Sequence, residues 1–382
     1  MWTLLLACTT PDPAEEPGDS TSALEETGSP VEETASPPSD RVEALRGALA
    51  DALPAAPDGV TGMTLWIVDR DGQRLVDLTV GDPQSGRRLA VASASKLVSS
   101  LVVLRTVAQT SLTLDTTVAV GLASELDGEG LPLGIEEPLA SVTLDQLGGF
   151  VSGLPGDTFC VRRPNLTLDD CTDEIVALAP VGPPGTTFDY GSTHQQLAGR
   201  IVELAQGADW ATAFQRTLKS PLGLTDPDFV YVTLPQQAIG THPLVAGGLR
   251  ATMAEYATLL MLVLDRGRLP SGEPWIAEAS IDRLFDNPWA GATMLTWPMD
   301  TYGFDYHYGF GTWLECPGPV PTCDVMSSPG AFGFTPWVDR ARDYFGILAM
   351  ESAGPGGAGF SVELVQSMRP TIEALVEAAD PG

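Results

Sequence analysis

The stretch Leu89-Ala90-Val91-Ala92-Ser93-Ala94-Ser95-Lys96-Leu97-Val98, continuing to Val107, changes its character at Ser93. An apolar run, Leu89 to Ala92, gives way to a helical pattern, Leu97 to Val107, so the spacing predicts a helix over Ser95 to Gln109 opened by a Ser-x-x-Lys turn. At a helix start, residues three apart share a face. That spacing lets the Lys96 amine reach the Ser93 hydroxyl. The positive end of the helix dipole favours both a depressed amine pKa and a developing alkoxide there. Ser93 is therefore the candidate nucleophile and Lys96 its candidate base.

Lysine usage sharpens this reading. Lys96 and Lys219 are the only lysines, and the other 18 of the 20 basic residues are arginine. Arginine cannot give up its proton in a protein, so a position that must act as a neutral base has to keep lysine whatever the compositional drift. A Ser three residues before one of two lysines also arises by chance, roughly one time in eight, so the motif needs its context.

Working outward, an amphipathic helix from Arg41 to Leu53 precedes two strand-like runs, Met63 to Asp69 and Leu75 to Val80, joined at the turn signal Asp71-Gly72. A mainly helical middle follows, including His194 to Gln206 and Thr252 to Arg266, where Thr252 and Glu255 form a capping box. Phe310 to Glu315, Phe334 to Asp339 and Tyr344 to Met350 read as extended, and Ser361 to Ala379 as a closing helix bent at Pro370. A sheet built from both chain ends with a helical insert is implied, in one domain over residues 41–382.

Composition bounds the partners. With 382 residues and 43% hydrophobic content the chain can bury a sizeable core. Its net charge of -30 repels nucleic acid and anionic head groups, so neither is an expected ligand. No apolar run approaches the roughly 20 residues that span a bilayer. Leu5-Leu6-Ala7-Cys8 resembles a bacterial lipobox, with Cys8 as lipidation site, although no Lys or Arg precedes it; the other reading is a chance apolar N-terminus. Residues 9–40 carry Pro, Ser, Thr, Glu and Asp, without Lys or Arg before Arg41, and read as a solvated tether. An extracytoplasmic envelope lipoprotein, touching membrane only through that anchor, is the expectation.

The remaining cysteines form two close pairs, Cys160 with Cys171 and Cys316 with Cys323, each spaced for a local disulfide. Neither offers the Cys-x-x-Cys or interspersed His of a metal site, so no metal and no cofactor are expected; four free thiols are the other reading.

Several ordered segments resemble class C β-lactamases and their relatives, the serine esterases and D-alanyl-D-alanine peptidases. The turn at Ser93 is similar to their active-site helix. Ser141 to Pro155, reading SVTLDQLGGFVSGLP, resembles their segment "ITIRHLLSHTSGLP", and Pro184-Gly185-Thr186-Thr187-Phe188-Asp189-Tyr190 resembles "PGTxFxY". Gln196 to Glu203 looks like the helix that follows, and Ala246 to Thr252 like a later Gly-Gly turn. The resemblance covers nearly all of residues 41–382. It implies an α/β (α+β) fold of the β-lactamase/transpeptidase-like type, with an antiparallel sheet and a large helical insert.

By that resemblance Tyr190 shares proton transfer with Lys96, its other reading being a buried aromatic with a satisfied hydroxyl. The backbone amides of Ser93 and Ala331 become the oxyanion donors. Two motif positions depart from the pattern. The second motif, Tyr-x-Asn in the family, reads Tyr190-Gly191-Ser192. The third, usually Lys-Thr-Gly or His-x-Gly, aligns with Ser328-Pro329-Gly330. In the family the Asn grips a side-chain amide and the Lys binds a carboxylate. Losing a charge-assisted hydrogen bond sacrifices roughly 1.5–3 kcal/mol, which argues for a neutral small-molecule ester or amide over penicillins or D-alanyl-D-alanine peptides. Ser192, Ser328, Gly330 and His194 are the candidate pocket residues. His242 and His307 look like packing residues.

Three rivals stand beside this esterase-like reading. A Gly-x-Ser-x-Gly elbow is absent, which removes a Ser-His-Asp hydrolase of the α/β type. A D-alanyl-D-alanine carboxypeptidase or β-lactamase would keep the fold and the nucleophile. A lipoprotein that binds cell-wall or protein partners without turnover would explain the degraded motifs, but has no physical need for a lone lysine beside Ser93.

Overall fold

The chain divides into two units, Met1–Ser36 and Pro37–Gly382. The computed structural model describes residues 38–123, 135–226, 228–233 and 242–379, all within the second unit. Cys8, the signal segment 1–8 and the tether up to residue 37 lie outside the described residues.

Twelve strands occur among them: β1 (Gly62–Asp69), β2 (Arg74–Gly81), β3 (Leu89–Ala90), β4 (Thr187–Phe188), β5 (Val230–Tyr231), β6 (Leu249–Ala251), β7 (Thr293–Met294), β8 (His307–Tyr308), β9 (Trp313–Leu314), β10 (Val325–Ser327), β11 (Thr335–Asp339) and β12 (Tyr344–Ala349). The helices are α1 (Pro38–Ala52), α2 (Ser95–Gln109), α3 (Val118–Gly121), α4 (Leu144–Gly148), α5 (Leu168–Val176), α6 (Thr193–Gln206), α7 (Trp210–Phe214), α8 (Met253–Leu264), α9 (Glu278–Asp282), α10 (Pro298–Thr301) and α11 (Gly357–Ala379).

Seven strands form one antiparallel sheet in the order β2-β1-β12-β11-β10-β9-β8, so the two chain ends meet where β1 pairs with β12. Strand β1 is buried on both faces, and its period-2 alternation divides the core. Met63, Leu65 and Ile67 pack with Leu45 and Leu49 of α1 and with Val365, Met368 and Ile372 of α11. Trp66 and Val68 face the larger core, which contains Leu97, Leu101, Tyr256 and Leu260 from α2 and α8. Nearly every remaining helix is inserted between β2 and β8, as the pattern predicts.

The element boundaries need four corrections. Helix α1 begins at Pro38, not Arg41, because Pro suits the first helical position and Asp40 complements the dipole in the first turn. Only Trp313–Leu314 of the extended run from Phe310 to Glu315 joins the sheet. Gly311 adopts φ +76 in a turn where Gly309 N donates to Thr312 O at 2.9 Å, and a Cβ on Gly311 would fall 2.0 Å from Ser100 Oγ. Helix α11 starts at Gly357, not Ser361, carries Pro370 inside it and packs on the sheet. Strands β8 and β10 were not legible in the pattern because each is only two or three residues long. The capping box at Thr252 and Glu255 is present, with Thr252 Oγ1 accepting from Glu255 N.

Both cysteine pairs are closed as disulfides, Cys160–Cys171 and Cys316–Cys323. Such bonds persist in oxidising compartments, which fits an extracytoplasmic protein. No described helix is long and apolar enough to cross a membrane.

Candidate active site

The nucleophile turn is pinned on both sides. Val91 N donates to Leu249 O at 3.1 Å, and Ala94 N closes the turn onto Val91 O at 3.0 Å. Ser95 bridges helix and sheet: its hydroxyl donates to Ala92 O at 2.6 Å and accepts from Leu249 N at 3.0 Å. These contacts hold Ala92 at φ +47, a left-handed conformation that costs a non-glycine residue on the order of 1 kcal/mol and recurs where a side chain must be presented at a sharp bend. Ser93 follows on a single 3-10 turn before α2 and stays half-buried, within reach of solvent.

Lys96 lies beneath it. Its Nζ is 3.1 Å from Ser93 Oγ and donates to the Ala246 carbonyl at 3.0 Å. The ammonium position is 4.7 Å from the centroid of the Tyr190 ring. No carboxylate forms an ion pair with Lys96 among the described residues, so burial dominates and brings the amine down to about 8, against the weaker upward pull of Asp157. A lysine at that value is partly neutral in a mildly alkaline medium, which a general base requires.

Tyr190 is set in an aromatic wall, with ring centroids 5.1 Å from Trp313, 5.8 Å from Tyr308 and 5.9 Å from Phe150. Burial pushes its phenol up to about 12, opposed by hydrogen bonding with the Ser93 hydroxyl and the Trp313 indole. The phenol is thus protonated at neutral pH: it can donate or relay a proton, but it cannot be the resting base. The Tyr190 ring thus lies beside both Lys96 and Ser93.

The loop after Tyr190 is clamped to an earlier one. Ser192 N and Thr193 N both donate to Gly156 O, at 2.7 and 2.9 Å, Gly156 N donates to Asp189 Oδ2 at 2.9 Å, and Ser192 N also donates to Asp157 Oδ1 at 3.0 Å. The approach is so close that a Cβ on Gly191 would lie 1.9 Å from Gly156 O. Ser192 remains half-buried beside the site.

His194 requires a correction. It is fully buried and stacked 4.8 Å from Phe150, with Nδ1 2.8 Å from Ser152 Oγ and Nε2 2.8 Å from Asp189 O. Burial lowers it to about 4, so it is neutral and has no nitrogen free for substrate. It ties the segment Ser141–Pro155 to the second motif. His242 is likewise held by Gln196 and the Arg163 carbonyl, as a packing residue would be.

The third motif does lie at the nucleophile. Ser328 Oγ donates to Ser93 O at 3.2 Å, and Ser328 N donates to Pro336 O at 3.1 Å. Gly330 contributes closeness and no side chain, since a Cβ there would fall 2.1 Å from Val91 O. The next residue, Ala331, is partly exposed, and among the described residues its N–H donates to no backbone carbonyl.

Three participants were not foreseen. The Ala246 carbonyl has no side-chain signal, since any residue supplies it. Trp313 was read only as part of a strand. Asp157 directly follows Leu154-Pro155-Gly156, and a carboxylate so soon after a recognised segment was a usable signal. Among the described residues no group of three or more His, Cys, Asp or Glu could hold a metal ion.

The family model described as Beta-lactamase matches residues 49–362. Penicillin-binding protein 4 of Amycolatopsis lactamdurans is 30% identical over 256 residues, 59% of this chain and 63% of that protein. The chain spans less than two thirds of the length of the curated relatives it matches. Among solved structures, a candidate β-lactamase from Bacteroides dorei DSM 17855 aligns with a TM-score of 0.71 at 24% identity, covering 85% of this chain and 98% of that one. EstCE1, a hydrolase with promiscuous acyltransferase activity, aligns at 0.60 and 16% identity, covering 89% and 98%. With a family model matched over most of its length and the sheet, insert and Ser-x-x-Lys turn of that fold, the chain belongs to the Beta-lactamase family.

Proposed function

We propose that the protein is a serine hydrolase that works through an acyl-enzyme on a small neutral ester or amide. The observation that carries this reading is the buried Lys96 amine, 3.1 Å from Ser93 Oγ and brought down to about 8. Neutral Lys96 takes the Ser93 proton as Oγ attacks the carbonyl carbon, and the oxyanion is received by the Ser93 and Ala331 amides. The protonated phenol of Tyr190 relays a proton to the leaving group. The acyl-serine that remains is then attacked by water, whose proton returns through the same pair.

The substrate class is argued from what surrounds the nucleophile. Ser192 and Ser328 offer hydroxyls where a penicillin or a D-alanyl-D-alanine terminus would need an amide and a cation. An esterase-like activity suits those groups better than that of a β-lactamase or carboxypeptidase. The hydrolase and acyltransferase named for EstCE1 supports acyl transfer on this fold, and the penicillin-binding relative keeps the peptidase and binding readings as rivals. Lipidation at Cys8, with residues 9–40 as tether, is proposed for the cell-envelope attachment.

An alkylphosphonate probe tests the reading. It is expected to label Ser93 in the wild type and to leave Ser93→Ala unlabelled. An unlabelled wild type would hand the case to a binding protein without turnover.

A further inference from the structure

Beside Lys96 and Tyr190 stands a half-exposed carboxylate, Asp157. Asp157 is fixed in place by the Gly156 clamp: Ser192 N donates to its Oδ1 at 3.0 Å, while Ser192 and Thr193 both donate to Gly156 O just before it. Its side chain is about half exposed, at 51%. The only cation paired with it among the described residues is Arg162, at 3.5 Å and itself 64% exposed, a long and solvated contact that leaves most of the carboxylate's charge unbalanced.

Its position borders the site, since the N–H it holds belongs to Ser192, two residues after Tyr190. Asp157 is the one ionised group among the described residues whose field registers at Lys96, and it also registers at Tyr190 and His194. A substrate carboxylate entering here would meet a like charge, with only the solvated Arg162 beside it, whereas an ammonium would meet a fixed, half-exposed acceptor.

We propose that Asp157 is a specificity-determining residue that selects substrates bearing a protonated amine close to the scissile carbonyl. The proposal rests on Ser93 being the acylated nucleophile. Within that reading it sets a preference for cationic esters and amides over neutral ones, with the carboxylate of Asp157 as counter-ion. Neutral substrates are still accepted; anionic ones are excluded by charge as well as by the lost motif groups.

The test uses three phenyl esters of similar size: β-alanine (ammonium), butyrate (neutral) and succinate (carboxylate), followed by phenol release. The wild type is expected to prefer β-alaninate over butyrate by about three- to tenfold in kcat/KM, and butyrate over succinate, with both ratios shrinking as salt is raised. Asp157→Asn keeps an oxygen to accept from Ser192 N and removes the charge, so the β-alaninate preference should vanish. Arg162→Ala removes the competing cation and should increase it. Equal rates for β-alaninate and butyrate in the wild type, or a preference that survives in Asp157→Asn, would overturn the proposal while leaving the nucleophile assignment intact. Turnover of none of the three esters, together with no phosphonate labelling of Ser93, would overturn both.

Discussion

The chain's two lysines occupy opposite kinds of site. Lys96 is held at the start of α2 by neutral groups alone, the Ser93 hydroxyl and the Ala246 carbonyl. Lys219 ends a π turn, Gln215–Lys219, where its Nζ donates to Asp226 O at 2.9 Å and lies about equally far from two aromatic rings, 6.0 Å from Phe214 and 5.8 Å from Phe229. Burial lowers both amines, but at Lys219 the carboxylates of Asp226 and Glu255 pull back. The difference teaches what a base needs. Desolvation that one carboxylate opposes only weakly destabilises the charged form, while desolvation opposed by two carboxylates leaves an ordinary buried cation. An arginine can replace the second kind and cannot replace the first.

The predictions test that contrast, beginning with its largest consequence. Ser93→Ala should lower ester hydrolysis by at least about a thousandfold, measured as kcat with phenyl butyrate, because the covalent step loses its nucleophile. Residual turnover close to wild type would remove the meaning of the Lys96 site altogether.

Lys96→Arg should lose at least about a hundredfold in kcat, nearly as much as Lys96→Ala, although it keeps the charge. Lys219→Arg should keep the activity of each folded molecule and lose about 1–3 kcal/mol of stability from overpacking the π turn, read by thermal denaturation. If both arginine variants behaved alike, the contrast between the lysines would be empty.

The pH profile sharpens the same point. Lys96 acts in its neutral form, so kcat/KM should rise with pH and level off above about 8, where the amine has lost its proton. Asp157 holds that amine up, so Asp157→Asn should move the rising limb to lower pH. A limb that stays fixed or moves upward would detach Asp157 from the site.

The smallest effect concerns the edges of the pocket. Ser192→Asn with Ser328→Lys should raise penicillin acylation relative to ester turnover by about tenfold, measured as a ratio of acylation rates. Ser328 is close enough to Ser93 for this, its hydroxyl already reaching the Ser93 carbonyl at 3.2 Å. An unchanged ratio would mean that neither position faces the substrate.

Periodicity and spacing carried the framework: α2 is legible residue for residue, β1, β2, β11 and β12 within one or two residues, and the Ser93–Lys96 pair from its three-residue interval together with the scarcity of lysine and the resemblance around it. Those features are local, because a helix face, a capping box and an alternating strand are written in neighbouring residues. His194 shows the opposite case. Nothing near it in sequence shows that Ser152, 42 residues earlier, takes one nitrogen, while burial keeps the ring neutral. The Ala246 carbonyl that holds Lys96 comes from 150 residues away and carries no side-chain mark. Asp157 reaches the site only because Gly156 and Gly191 let two loops touch. The sequence by itself therefore determined which residues could react and on what kind of fold. The tertiary structure decided which of them are desolvated and which are already satisfied, because burial and field depend on groups that the chain brings together only by folding.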